Sequence, residues 1–206
     1  SGKTRLAIET GQKLMASFRD GVYLVPAAEF RSAQSLAVGI AHAVGCTINR
    51  PTDAIREVAD YLSSHECLII LDAAEHVSDC GQVVTALLGC PRLKILATSR
   101  QRLHAPGEHI IAVTGLPFPR QVPHRLTQDG RLELETSPSY RLFVDRYTRV
   151  QPRFRPWDDE CLAIAHICNL VDGMPLALEI AASWGRVMTC REIAARVGSF
   201  DALADA

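Results

Sequence analysis

From Thr4 to Phe18 the apolar or small residues Ala7, Gly11, Leu14 and Phe18 recur at i, i+4, i+7 and i+11. That is the spacing of one helical face, so a helix is predicted directly after the opening Ser-Gly-Lys-Thr. "GVYLV" (21–25) is continuously apolar and reads as a short strand buried on both sides. Ala33, Leu36, Ala37, Ile40 and Val44 predict a second helix closed by Gly45, and Ile55, Val58, Ala59 and Leu62 a third. "CLIILD" (67–72) gives the strongest strand signal, an apolar run that ends in an acid. "LKILATS" (93–99) repeats that design after a helix around 80–88, and "HIIAV" (109–113) is predicted as a last strand. Strands alternating with helices imply a parallel sheet with helices on both faces.

The pattern changes after Leu116. Prolines 117, 119, 123 and 138, with Gly130 and polar residues between them, interrupt periodicity and read as a linker. Helical patterns follow at 138–150 behind Ser137, at about 159–171 with a stop at Gly173, at 175–187, and at 190–197, where Thr189 and Glu192 have capping-box spacing. The division expected is therefore an α/β domain over 1–116, a linker over 117–136 and a small all-helical subdomain over 137–206.

Composition narrows the function classes. The 206 residues are 48% hydrophobic and 22% charged with a formal net charge of −1, a globular balance without the electrostatic footprint of a nucleic-acid binder. Cysteines 46, 67, 80, 90, 161, 168 and 190 include no C-x-x-C pair and mostly sit in apolar surroundings, which predicts reduced thiols and a cytoplasmic location. No apolar run approaches the about 18 residues that cross a bilayer, and no signal peptide opens the chain. The histidines lack H-x-x-x-H spacing, so no metal besides Mg²⁺ is expected. Arg141, Arg146, Arg149, Arg153 and Arg155 read as a solvated or interdomain face, and Trp157 and Trp184 as core anchors.

Three short stretches carry candidate chemistry. Gly2, Lys3 and Thr4 match the last three positions of the phosphate-binding pattern G-x-x-x-x-G-K-[ST]. There Gly lets the backbone approach a phosphate, Lys reaches the β and γ phosphates and Thr offers its hydroxyl to Mg²⁺. The absence of the loop's first half and of an initiator Met leads us to expect a fragment with its first strand missing, which by itself binds nucleotide poorly. Asp72 ends a buried strand, where an Asp either helps hold Mg²⁺ or caps the strand or the next helix. Arg100, in "ATSR" (97–100), either senses a γ phosphate from the same sheet edge or lies exposed in a loop.

"SGKTRLAIE", "CLIILDAAEHV", "CPRLKILATSRQRL", "PGEHIIAVTGLP" and "CNLVDGMPLALEIAASW" occur in order across nearly the whole chain. Together they resemble the nucleotide-binding core of the STAND signal-transduction ATPases, also called NB-ARC-like or AP-ATPases. Within that group the resemblance is to the ATPase modules of bacterial LuxR-type transcriptional regulators. It implies a P-loop NTPase α/β fold, a nucleotide-binding set of Ser1, Gly2, Lys3, Thr4 and Arg5, and Mg²⁺ held by Thr4 and Asp72. It also implies that "GMPL" (173–176) brings Pro175 near the adenine. The implied activity is an ATP/ADP switch with slow or absent hydrolysis. The implied partners are an effector domain, often DNA-binding, a sensor-repeat array, both outside these residues, and self-association governed by the nucleotide.

Many relatives carry a second polar or acidic residue after the strand Asp, where this chain has Ala73 and Ala74. Glu75 is the nearest carboxylate that could orient an attacking water, and it is otherwise a solvated acid in a helical first turn. Two further readings stand beside the switch: a degenerate P-loop scaffold that binds protein, and a P-loop kinase acting on a small molecule.

Overall fold

The central strand determines how the first half of the chain packs. In the computed structural model, which describes residues 2–120 and 126–204, β2 (Leu68–Asp72) lies between β1 (Val22–Pro26) and β3 (Lys94–Ala97), parallel to both. Ser1, linker residues 121–125 including Pro123, and positions 205–206 lie outside the described residues. The chain divides into two compact units, one over Gly2–Ile111 and one that takes in Ala112–Ala206.

Side chains alternate across β2, so Ile69 and Leu71 join Val25, Leu36, Ile40, Val58, Leu62, Val83 and Leu87 in the larger core. That core is supplied by α2 (Ala33–Val44), α3 (Ala54–Leu62) and α4 (Cys80–Leu87). Leu68 and Ile70 face the other way, onto Ala7, Leu14 and Phe18 of the first helix and its exit. That helix, α1 (Lys3–Leu14), approaches closely because Gly11 has no Cβ: one built there would lie 2.5 Å from Ile70 Cδ1. Ser32 caps α2 by accepting a hydrogen bond from the Ser35 N–H.

Two strand expectations are corrected. β1 ends the sheet order rather than lying buried on both sides: Val25 is 1% exposed but Leu24 is 47% exposed. "HIIAV" forms no strand; Ile110 and Ile111 are 53% and 80% exposed, and no described strand lies alongside to take up their backbone groups. High β-propensity alone does not make a strand without a partner.

The second unit is helical: α5 (Gln128–Thr136), α6 (Pro138–Val150), α7 (Asp158–Leu170), α8 (Pro175–Ser183) and α9 (Cys190–Ala204). Phe143, Ile164, Ile167, Leu178 and Ile193 fill its core. Leu116 N–H donates to the Gly173 carbonyl at 2.8 Å, and Ser139 Oγ donates to the Pro117 carbonyl at 2.9 Å, strapping the incoming chain to the helices. α5 occupies the second half of the stretch read as linker. Thr127 caps it at the Gly130 N–H, Leu134 buries its apolar side, and Arg131 bonds to Glu135 and Asp158.

Trp184 packs against this core, whereas Trp157 is 78% exposed at the N-cap of α7 and is no core anchor. Part of the basic segment is neutralised locally: Arg146 pairs with Glu179 and Asp145, and Arg149 with Asp145. The Thr189–Glu192 box forms as its spacing predicts. No helix among the described residues is long and apolar enough to cross a membrane.

One carboxylate of the α/β unit makes stability pH-dependent. Glu57 accepts the Asn49 and Arg50 backbone N–H groups at 2.7 and 3.2 Å, and the Asn49 bond in particular holds its carboxyl below the usual range. A folded-state pKa below the unfolded one means stability that is present above the unfolded value and lost as pH falls through the folded one. The expected outcome for Glu57→Gln is a lower urea midpoint at pH 7. The gap to the wild type should narrow as the pH falls below the ordinary Glu value of about 4.3.

Candidate functional site

The carboxyl edge of the sheet and the start of α1 meet within the α/β unit. Gly2 is the N-cap of α1 with φ 78° and ψ 10°, a left-handed conformation that costs a glycine nothing. No side chain caps this helix, so its first-turn N–H groups carry the positive end of the helix dipole without a side-chain acceptor at the cap. Lys3 opens the helix half-buried, and Thr4 and Arg5 follow, both exposed.

Asp72 stands where the buried run of β2 reaches the sheet edge. Thr4 Oγ1 donates to Asp72 Oδ1 at 2.7 Å, linking residues 68 positions apart in sequence. Thr98 Oγ1 donates to the same oxygen at 2.6 Å. Parallel pairing aligns Leu71 with Ala97 and the bond from Thr98 N–H to the Leu71 carbonyl extends it, so Asp72 and Thr98 leave the sheet side by side. Thr98 was not among the residues singled out by spacing. The signal was present in "ATSR", a Thr that follows an apolar strand by one residue in the register of the strand acid.

The chain then turns sharply. Ala73 adopts φ 58°, its N–H donating to Thr98 Oγ1 at 2.9 Å, and Ala74 N–H donates to the Thr98 carbonyl at 2.9 Å. A helical turn over Ala74–His76 carries Glu75, whose Oε1 lies 3.5 Å from Arg100 Nε. The Glu75 side chain is 14% exposed and that of Arg100 85% exposed. Glu75 Oε2 is buried without a hydrogen-bond partner among the described residues.

The structure thus joins Thr4 to Asp72 and Glu75 to Arg100. Pro175 opens α8 in the helical unit, and Ser1 lies outside the described residues. A hydroxyl beside a carboxylate is a hard oxygen donor set. It suits Mg²⁺, which binds through one or two carboxylates and keeps several waters. The Thr4 hydroxyl directs its proton at Asp72, which leaves its lone pairs for a cation.

A left-handed conformation costs an L-residue roughly 1–2 kcal/mol. Ala73→Gly is therefore expected to stabilise the α/β unit by about 0.5–1 kcal/mol after glycine's greater unfolded-state entropy is offset, measured by urea unfolding.

No family model matches the chain, and no solved structure matches it. Among curated proteins, one from Mycobacterium bovis and one from Mycobacterium tuberculosis, each named "putative HTH-type transcriptional regulator", are 35% identical to it over 195 residues. These matches cover 94% of this chain and 20% of each relative, so the chain spans about a fifth of their length. An uncharacterized protein of Mycobacterium tuberculosis is 30% identical over 184 residues, 88% of this chain and 42% of that protein.

Proposed function

We propose that these residues form an ATP/ADP-binding switch module of the STAND P-loop class, working within a transcriptional regulator of the cytoplasm. The observation that carries the reading is the 2.7 Å bond from Thr4 to Asp72, which joins the two residues that a P-loop site needs beside its metal. The left-handed Gly2 ahead of Lys3 supports it, as does the name borne by the mycobacterial relatives.

In this reading the first-turn N–H groups of α1 and Lys3 bind the phosphates, with Ser1 and Arg5 in the same set. Thr4 and Asp72 hold Mg²⁺, which supplies neutralisation of the phosphate charge. Arg100 distinguishes ATP from ADP at the γ phosphate, and Pro175 reports the nucleotide to the helical unit. Glu75 orients water for a slow hydrolysis that resets the switch. Effector and sensor-repeat regions outside these residues, and nucleotide-dependent self-association, complete the regulator.

A degenerate scaffold that binds a partner protein is the second reading. It draws on Ala73 and Ala74 after Asp72, and on the engagement of Glu75 by Arg100, which in this reading is a structural ion pair.

Calorimetry with ADP and ATP in Mg²⁺, on the longest natural polypeptide that contains these residues, separates the two. The switch reading predicts binding that Lys3→Ala weakens at least about tenfold, the loss of one charge-assisted contact. A folded protein that binds neither nucleotide favours the scaffold.

A further inference from the structure

We propose that Thr98 is the positioning residue that fixes Asp72 for the metal, an inference that rests on the nucleotide-site reading above. The Thr98 side chain belongs to a residue only 8% exposed, and its one hydroxyl is used in both directions. It donates to Asp72 Oδ1 at 2.6 Å and accepts the Ala73 N–H at 2.9 Å. A hydroxyl has a single proton, so acceptance from Ala73 helps commit that proton to Asp72. The acceptor is thereby locked as well as the donor.

This geometry gives Asp72 an orientation that Thr4 alone does not supply. Thr4 is exposed on a helix end, so its bond ties the carboxylate only to a solvent-facing side chain. Thr98 is anchored by its own backbone on both sides, through its N–H to the Leu71 carbonyl and its carbonyl to the Ala74 N–H. The Thr98 bond, made by a buried side chain, would hold Asp72 Oδ1 in place whether or not a cation occupied the site. A carboxylate held in this way would need no rotamer search to meet a cation, which is what outer-shell partners of metal ligands provide. The same hydroxyl holds the left-handed turn at Ala73, so Asp72 and the turn that presents Glu75 are set by one side chain.

The test compares Thr98→Val, which keeps the shape and removes the hydroxyl, with Thr98→Ser, which keeps the hydroxyl. ADP affinity is measured with Mg²⁺ and with EDTA on the longest natural polypeptide that contains these residues, and Ala73 amide exchange is followed without nucleotide. The expected result is that Thr98→Val lowers the Mg²⁺ enhancement of ADP affinity by about tenfold or more while EDTA affinity is unchanged. Ala73 exchange should accelerate, and Thr98→Ser should restore both. Wild-type Mg²⁺ dependence in Thr98→Val, or an equal loss with and without Mg²⁺, would overturn the inference alone. A wild type that binds no ADP in either condition would overturn the nucleotide reading and this inference with it.

Discussion

A strand buried on both faces can carry a carboxylate only where it leaves the core, and β2 does so at Asp72. Leu68 to Leu71 are all buried, two against α1 and two against the larger core, so the strand can neither slide nor twist without exposing one set. Everything at the candidate site follows from that fixed exit point. The neighbouring strand delivers Thr98 in register with it, and α1, pressed onto Ile70 through Gly11, delivers Thr4 from the other side. An Asp displaced by one residue would point away from both hydroxyls.

Much of this was legible because the signals are local. Helical spacing in α1 and α2, the stop at Gly45, Ser137 and Pro138 at the start of α6, and the Thr189–Glu192 box depend on residues within a turn or two of one another. Leu24, Ile110 and Ile111 were read too deep into the protein because apolar character does not tell a strand how many neighbours it has. α5 was missed because its apolar stripe is thin: Leu134 is buried while Leu132 is 63% exposed, and an Arg131 network supplies much of its anchoring. Trp157 follows the same logic, since a large apolar ring says nothing of which element will cover it.

The site was legible in part for a related reason. Gly2, Lys3, Thr4 and Asp72 announce themselves by motif and by position at a strand end. The convergence of two threonines on one carboxylate oxygen depends on strand register and on the depth of α1, which no spacing along the chain encodes. The pairing of Glu75 with Arg100 is of the same kind, because the turn that brings them together hinges on the conformation of Ala73.

The proposed switch requires that the start of α1 and the ends of β2 and β3 act as one phosphate and metal site. The most direct measurement is an amide NMR titration with Mg²⁺ and ADP. The largest shifts are expected to cluster at Gly2–Arg5, Asp72–Glu75 and Thr98–Arg100. Saturable shifts centred elsewhere in the α/β unit, with these segments unmoved, would contradict it.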